Sequence, residues 1–283
     1  MRSVKNVSNL RRIFLLFLLF ILFQAVLLAE YSSSRYQELS KTTIRNDTQK
    51  PIRYDAHPDR PGERLERKVI EPGQADHYPG DTALKLTFPR DGKPLLYRLN
   101  PGGVYFFQLD EQNKLDIYAD IEKKADAEDA VPFVATPMDV VRKMLEMAHM
   151  DSKDVVYDLG CGDGRVVIMA AREFEASGVG IDIDDRRIKE SRANAIAAGV
   201  EDRVEFRLQD VFQANISEAT VVTLYMLTEI NQRLCPQLEE QLKPGTIVIT
   251  HSYPVPGWAS KMIDFMVLFA ADGEEHIIYL YQK

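Results

Sequence analysis

The sequence predicts an α/β protein: a doubly wound seven-stranded sheet with an antiparallel edge hairpin, preceded by a small all-β domain. Three observations predict it. Beyond residue 150, short apolar runs alternate with segments of helical period, the pattern of parallel strands buried on both faces. Before residue 121, short segments separated by DRPG, EPGQ, YPGD, PRDGKP and NPGG show no helical period at all. Directly after the first apolar run of the second half stands DLGCGDGR, Asp158 to Arg165, whose alternating glycines belong to the first turn of a Rossmann-like unit.

Taken in order, the chain opens with Arg2, Lys5, Arg11 and Arg12, followed by Ile13 to Ala29, apolar except for Gln24. A basic flank before such a run reads as a signal peptide or membrane anchor over residues 1–30. With the positive flank inside, residues 30–283 are expected across the membrane from the cytosol, on the periplasmic side; a peripheral anchor leaving them cytosolic is the alternative. Residues 31–121 read as the small antiparallel β domain, with strands over 41–46, 52–57, 65–70, 84–88, 95–99, 104–109 and 114–119. His57 and His77 read as surface residues. Residues 122–130, with EKKADAEDA, carry charge without an apolar face and read as a linker to the α/β domain over 131–283.

Thr136 and Pro137 look like an N-cap and a first helical position, and an apolar stripe from Val140 continues to Met150. Strands are then expected over 155–159, 178–183, 204–208, 221–225 and 246–251, with helices over 165–174, 185–198 and 229–242. A last pair, 265–270 and 276–282, is joined by ADGEE as a hairpin.

Charge narrows the function. Residues 1–29 hold four basic and no acidic residues, leaving 31 basic against 43 acidic ones and a formal net charge of −12 on the remainder. An acidic body repels phosphate backbones, which argues against nucleic acid as the main partner. Cys161 and Cys235 are too few for a disulfide framework or a metal site and read as small apolar fillers.

In an open α/β sheet the ligand lies beyond the carboxyl ends of the strands, where the glycine loop is. Gly160, Gly162 and Gly164 permit positive φ and remove the Cβ that would hold a ligand away. A dinucleotide loop would carry a glycine where Arg165 stands, and Asp158 disfavours a pyrophosphate while attracting a cofactor that bears an ammonium and a sulfonium. This tilts the reading from NAD to S-adenosylmethionine. Asp182, closing the second strand, is placed for the ribose hydroxyls, and Asp210, after the third, for the adenine amino group.

On these residues, 131–258 resemble a class I, seven-β-strand S-adenosylmethionine-dependent methyltransferase. VPFVATPMDVVRKML, VVYDLGCGDGRVVIMAA and VGIDID are especially similar to a bacterial group related to the archaeal and mitochondrial protein-lysine methyltransferases. The resemblance leaves residues 32–120 outside. It implies that Thr136 lies against the methionine end of the cofactor, that Asp158, Gly160, Gly162 and Gly164 form its cradle, and that Asp182 and Asp210 hold ribose and adenine. Leu224, Tyr225, Met226 and Leu227 stand where methyltransferases of planar nitrogens often carry Asn/Asp-Pro-Pro-Tyr/Phe, which counts against nucleobase or amide acceptors.

Methyl transfer from a sulfonium is an in-line displacement, so holding nucleophile and methyl together is the enzyme's main contribution, and no metal is required. A lysine nucleophile must first lose a proton from a group whose ordinary pKa is about 10.4, and an apolar channel lowers that value. Tyr225 is the candidate to line such a channel and accept from the amine, with Glu229, Asn231 and His251 as candidate orienters. HSYPVPGW, His251 to Trp258, is expected to shape the acceptor side, although Trp258 fits a core position equally well. The leading expectation is methylation of a protein side chain, lysine foremost. A small-molecule O- or N-methyltransferase, and a non-catalytic cofactor-binding module whose β domain does the recognition, stay open.

Overall fold

The structure, a computed structural model, describes residues 41–60, 62–121 and 133–283. The expected signal or anchor over 1–30 and the expected linker over 122–130 lie outside the described residues. Among the described residues, no helix is long and apolar enough to cross a membrane.

The first region contains β1 (Lys41–Asn46), β2 (Ile52–Pro58), β3 (Glu66–Ile70), β4 (Ala75–Pro79), β5 (Leu84–Arg90), β6 (Lys93–Leu99), β7 (Val104–Leu109) and β8 (Leu115–Ala119). They form two four-stranded sheets, ordered β4-β1-β7-β8 and β3-β2-β5-β6. Alternating side chains turn inward, and aromatic rings close the space between the sheets: Phe107 of one meets Phe88 and Tyr54 of the other at 5.3 and 5.6 Å between centroids. Two expectations need correcting. Ala75–Pro79, in the ADHYP segment between two Pro-Gly turns, is a strand that the turn signals hid, because only Tyr78 of its five residues is buried. The sandwich is also not purely antiparallel, since β1 enters between β4 and β7 and runs parallel to β7.

The second region contains α1 (Met138–Met147), β9 (Val155–Leu159), α2 (Arg165–Phe174), β10 (Ser177–Asp182), α3 (Asp185–Ala198), β11 (Val204–Leu208), a 3₁₀ turn (Val211–Gln213), β12 (Val221–Leu224), α4 (Thr228–Gln241), β13 (Ile247–His251), β14 (Met262–Phe269) and β15 (Glu275–Gln282). The sheet order is β11-β10-β9-β12-β13-β15-β14. The first five strands are parallel, and β15 runs antiparallel between β13 and the edge strand β14. The last strand in sequence therefore inserts inside the sheet, leaving β14 at its edge.

Strand alternation divides the core. Val156, Val221, Ile249, Ile278 and Leu280 pack with α1, α2 and α3 on one face. Tyr157, Val222, Val248, Tyr279 and Tyr281 pack on the other with Leu234 and Leu238 of α4 and with the β sandwich. The sandwich and the large sheet thus share one continuous core. Polar bonds seal the contact: Gln232 of α4 donates to Ala119 O at 2.9 Å and accepts from Ala119 N at 2.6 Å. Asp116 of β8 accepts from Tyr97 Oη at 2.8 Å and from Ala259 N at 3.3 Å.

Two glycines of β10 make room for neighbouring side chains, Gly178 for α2 and Gly180 for β11. A Cβ on Gly178 would lie 2.6 Å from Val167 Cγ1 and 2.7 Å from Val156 Cγ1, and one on Gly180 would lie 2.6 Å from the Phe206 ring. Gly178→Ala should therefore destabilise the protein by overpacking alone, by about 1–3 kcal/mol. Urea unfolding checks this as a lowered midpoint at unchanged slope; an unchanged midpoint would show that α2 and the sheet separate there at no cost.

Candidate functional site

A cavity of about 470 Å³ opens beyond the carboxyl ends of β9, β10, β11 and β12. Its position follows from topology: β9 pairs with β10 on one side and β12 on the other, so connections leave toward opposite faces there and the loop after β9 faces open space.

The glycine loop has three duties. Gly160 N and Cys161 N both donate to Ile181 O, at 2.8 and 2.9 Å, which folds the loop back against β10. Gly160 has φ +82°, and a Cβ there would lie 2.6 Å from Met226 Cε in the cavity wall. Gly162 has φ +52°, and the Phe133 ring occupies the space of its missing Cβ. Gly164 has φ +82° at the head of α2, and a Cβ there would press on Phe206 and Ser191 at 2.8 Å. Gly164 therefore serves helix packing, while Gly160 and Gly162 shape the cleft.

Three acids stand at successive strand ends, all lining the cavity. Asp158 is buried, and Thr223 Oγ1 of β12 donates to its Oδ1 at 2.7 Å. Burial first, and then the like charges of Asp182 and Asp163, push its carboxyl up to about 7. Asp182 accepts Gly162 N on Oδ2 and Asp184 N on Oδ1, each at 2.9 Å, which fixes the carboxylate and leaves one lone pair per oxygen for a ligand. Asp210 caps the 3₁₀ turn by accepting from Phe212 N at 3.0 Å. Burial also raises the Cys161 thiol beyond the reactive range and the Cys235 thiol to about 12, so both cysteines are inert fillers.

Arg165, where a dinucleotide loop would have glycine, has a structural duty. Its guanidinium pairs with Asp163 at 2.5 Å and donates to Thr136 O at 2.7 Å. Burial opposes ionisation of Asp163, but Arg165 outweighs it and holds that carboxyl below the usual range. The Phe133–Thr136 segment is thereby strapped across the cleft, and the Arg187 guanidinium lies 4.5 Å from the Phe133 ring. Thr136 is not the helix cap expected from TPM. Pro137 occupies the cap position, and Thr136 Oγ1 instead meets His251 Nδ1 at 3.1 Å.

At the far end of the cavity, Tyr225 follows β12 with its ring 4.0 Å from that of His251 and stacked at 6.3 Å on Tyr253. Burial, with Tyr253 nearby, raises the Tyr225 hydroxyl above its ordinary range, so it stays neutral. Arg98 of β6 donates to Tyr253 Oη at 3.3 Å and to Asp59 at 2.6 Å, so the β sandwich braces the ring that stacks on Tyr225.

Glu229 and Asn231 do not line the cavity. Glu229 is buried against the sandwich, receiving Asn100 Nδ2 and, at 3.3 Å, Tyr105 Oη. Asn231 donates to the carbonyls of Tyr253 and Pro254 at 3.2 and 3.1 Å and so holds the loop after β13. Helical pitch explains the miss: Ile230 faces the cavity, and its sequence neighbours, each about 100° away around α4, point elsewhere. Trp258 is core, 2% exposed and edge-on to Tyr281. Of the residues that sequence reasoning passed over, Thr223 had a signal, a polar residue inside the apolar run VVTL. Phe133 and Arg98 had none.

The fit of a cationic ligand can be judged from Asp158. Its hydrogen-bond donor is a neutral hydroxyl, and the charges acting on it share its sign, so a positively charged group in the cavity would be welcomed.

Comparison with known proteins bears on the same residues. The ANTKMT methyltransferase domain profile matches residues 158–262. A protein-lysine N-methyltransferase of Saccharolobus islandicus is 47% identical over 153 residues, covering 53% of this chain and 92% of that protein. An ATP synthase C-subunit lysine N-methyltransferase of Xenopus laevis is 30% identical over 134 residues, covering 47% of this chain and 58% of that protein, so the chain spans little more than half its length. A crystal structure of a protein described as an RNA methyltransferase from Salinibacter ruber, in complex with S-adenosyl-L-homocysteine, is 49% identical, covers 53% of this chain and 93% of that one, and superposes with a TM-score of 0.49.

The raised Asp158 predicts a pH dependence. Folding favours its protonated form, so its contribution is fully present below the ordinary carboxyl value of 3.8 and is lost as pH rises through about 7. The ligand-free protein should unfold at lower urea at about pH 8 than at about pH 5, and Asp158→Asn should flatten that difference. Asp116, pushed up to about 6 by burial, has the same sign, while His251, lowered to about 3 by burial, has the opposite one, so the change of slope between protein and variant is what reports Asp158. An undiminished slope in the variant would refute the assignment.

Proposed function

The chain belongs to the protein-lysine N-methyltransferase family, and from that membership we propose that it transfers a methyl group from S-adenosylmethionine to the side-chain amine of a lysine in a protein substrate. The observation that carries the acceptor class is the near full-length match of the archaeal protein-lysine N-methyltransferase, which lies within this chain. The acid-lined cleft is the chemistry that fits the donor.

S-Adenosylmethionine, when bound, supplies an electrophilic methyl on a sulfonium. The chain supplies position and charge. Asp182, fixed by two backbone N–H groups, offers its remaining lone pairs to a ribose diol, and Asp210 stands at the next strand end for the adenine. Asp158 ionises when a cation enters, so binding near neutral pH should release a proton. Tyr225, neutral and half-buried at the β12 end, can accept a hydrogen bond from an incoming amine. The apolar wall formed by Leu224, Met226 and Ile230 disfavours the ammonium and favours the nucleophilic free amine.

The test is incubation of the full chain with labelled S-adenosylmethionine and fractionated cell protein, RNA and small-molecule extract. Label recovered as methyl-lysine after hydrolysis is the expected result. Label in RNA or in small molecules would overturn the acceptor assignment, and binding without any transfer would leave a cofactor-binding module. Asp182→Ala should weaken cofactor affinity about 30- to 150-fold, of order 2–3 kcal/mol for a charge-assisted contact, as read by calorimetry. An unchanged affinity would remove the ribose assignment.

For location, we propose from the basic flank and the apolar residues 13–29 that residues 30–283 lie across the membrane from the cytosol. A topology reporter at the C-terminus should be active on the far side; strong cytosolic signal would overturn this.

A further inference from the structure

A line of hydrogen bonds runs from the cavity to the surface. Thr136 Oγ1, in the cavity wall, is 3.1 Å from His251 Nδ1. His251 Nε2 is 2.8 Å from His276 Nδ1, and His276 Nε2 is 3.0 and 3.2 Å from the two carboxylate oxygens of Asp272. The four groups come from the strap before α1, the end of β13, and the β14–β15 hairpin. The assembly is braced: Ala271 N donates to Asp139 Oδ2 of α1 at 2.7 Å, pinning the hairpin turn, and the Tyr225 ring lies against the His251 ring.

The chemistry of these groups gives the line a direction. A carboxylate only accepts, so His276 places its proton on Nε2. With one proton on that ring, His276 Nδ1 accepts, and His251 must carry its proton on Nε2. His251 Nδ1 is then an acceptor, and the hydrogen of the Thr136 hydroxyl is committed to it. His251 is fully buried, and burial, with His276 and Arg98 nearby and Asp272 opposing, lowers its pKa to about 3, so its ring holds a single proton.

Thr136 Oγ1 therefore turns its lone pairs to the cavity. Its own carbonyl is already taken by Arg165. Strand order indicates what lies opposite. Asp210 and Asp182 stand after β11 and β10 at one end of the cavity, while Thr136 lies beside His251 of β13 at the other, so a ligand with its nucleoside at the acids extends its far end toward Thr136.

We infer that Asp272, His276 and His251 are positioning residues that lock the Thr136 hydroxyl as an acceptor for a primary ammonium group in the cavity. The inference rests on the methyl-donor reading above for the ligand, but not for the direction of the chain. The ammonium could belong to the amino-acid end of the donor or to the incoming lysine, and the two sources are separable.

Heteronuclear NMR of the histidine ring nitrogens in the ligand-free full chain, above the ordinary imidazole range of about 6.5, tests the direction without any ligand. Both His251 and His276 should carry their proton on Nε2; a proton on His251 Nδ1 overturns the inference. Binding tests the purpose. Asp272→Ala, at an exposed turn, removes the side-chain acceptor, and Thr136→Val removes the hydroxyl. Each should weaken S-adenosylhomocysteine about tenfold while leaving methylthioadenosine, which lacks the ammonium, within about twofold. If S-adenosylhomocysteine is unaffected but the KM of a lysine peptide rises by a similar factor, the ammonium is the acceptor's and the inference stands. If neither changes, or both nucleosides weaken equally, the inference fails while the methyl-donor reading survives. A wild-type protein that binds neither nucleoside removes both.

Discussion

Everything at the site depends on the central place of β9, hydrogen-bonded to parallel strands on both sides. Two parallel neighbours leave the loop after β9 nowhere to go but out from the sheet end, at the point where connections diverge to opposite faces. The same pairing brings Asp158, Asp182 and Asp210 to adjoining strand ends. It also places Thr223 of β12 beside Asp158, so that a buried donor to that carboxylate comes from the adjoining strand. A carboxylate buried among other carboxylates is costly in the empty protein, and that cost becomes binding selectivity for a cation.

The second constraint is the shared core. In a doubly wound sheet both faces must be covered, and here α4 leaves part of one face to the β sandwich. Tyr97 of β6 meets Tyr279 of β15 edge-on at 6.3 Å, and the buried Asp116 ties β8 to the segment before β14. The sandwich is therefore a structural part of the catalytic body. Arg98 ties it to Tyr253, whose ring stacks on Tyr225 of the cavity wall.

The strap over the cleft shows how one substitution in a motif redirects a whole segment. Arg165 cannot approach a pyrophosphate as glycine does, but its fork holds both Asp163 and the Thr136 carbonyl. The strap is thereby fixed over Gly162, with Phe133 filling the space that a side chain there would need.

The sequence by itself determined the elements and the strand ends at which the three acids stand. Helices over 165–174 and 185–198 and strands over 155–159 and 204–208 have the boundaries that periodicity and turn residues assign, because those signals are local and act within a few residues. The positions of the three acids were legible for the same reason, each standing at or just after the end of a strand that local signals assign. What surrounds those acids was not. Glu229 and Asn231 flank the helical position that faces the cavity, Thr136 spends its hydroxyl on a histidine 115 residues away, and β4 is a strand only because β1 pairs with it. Those outcomes depend on which distant segment arrives beside a residue, and packing decides that only when the whole chain folds.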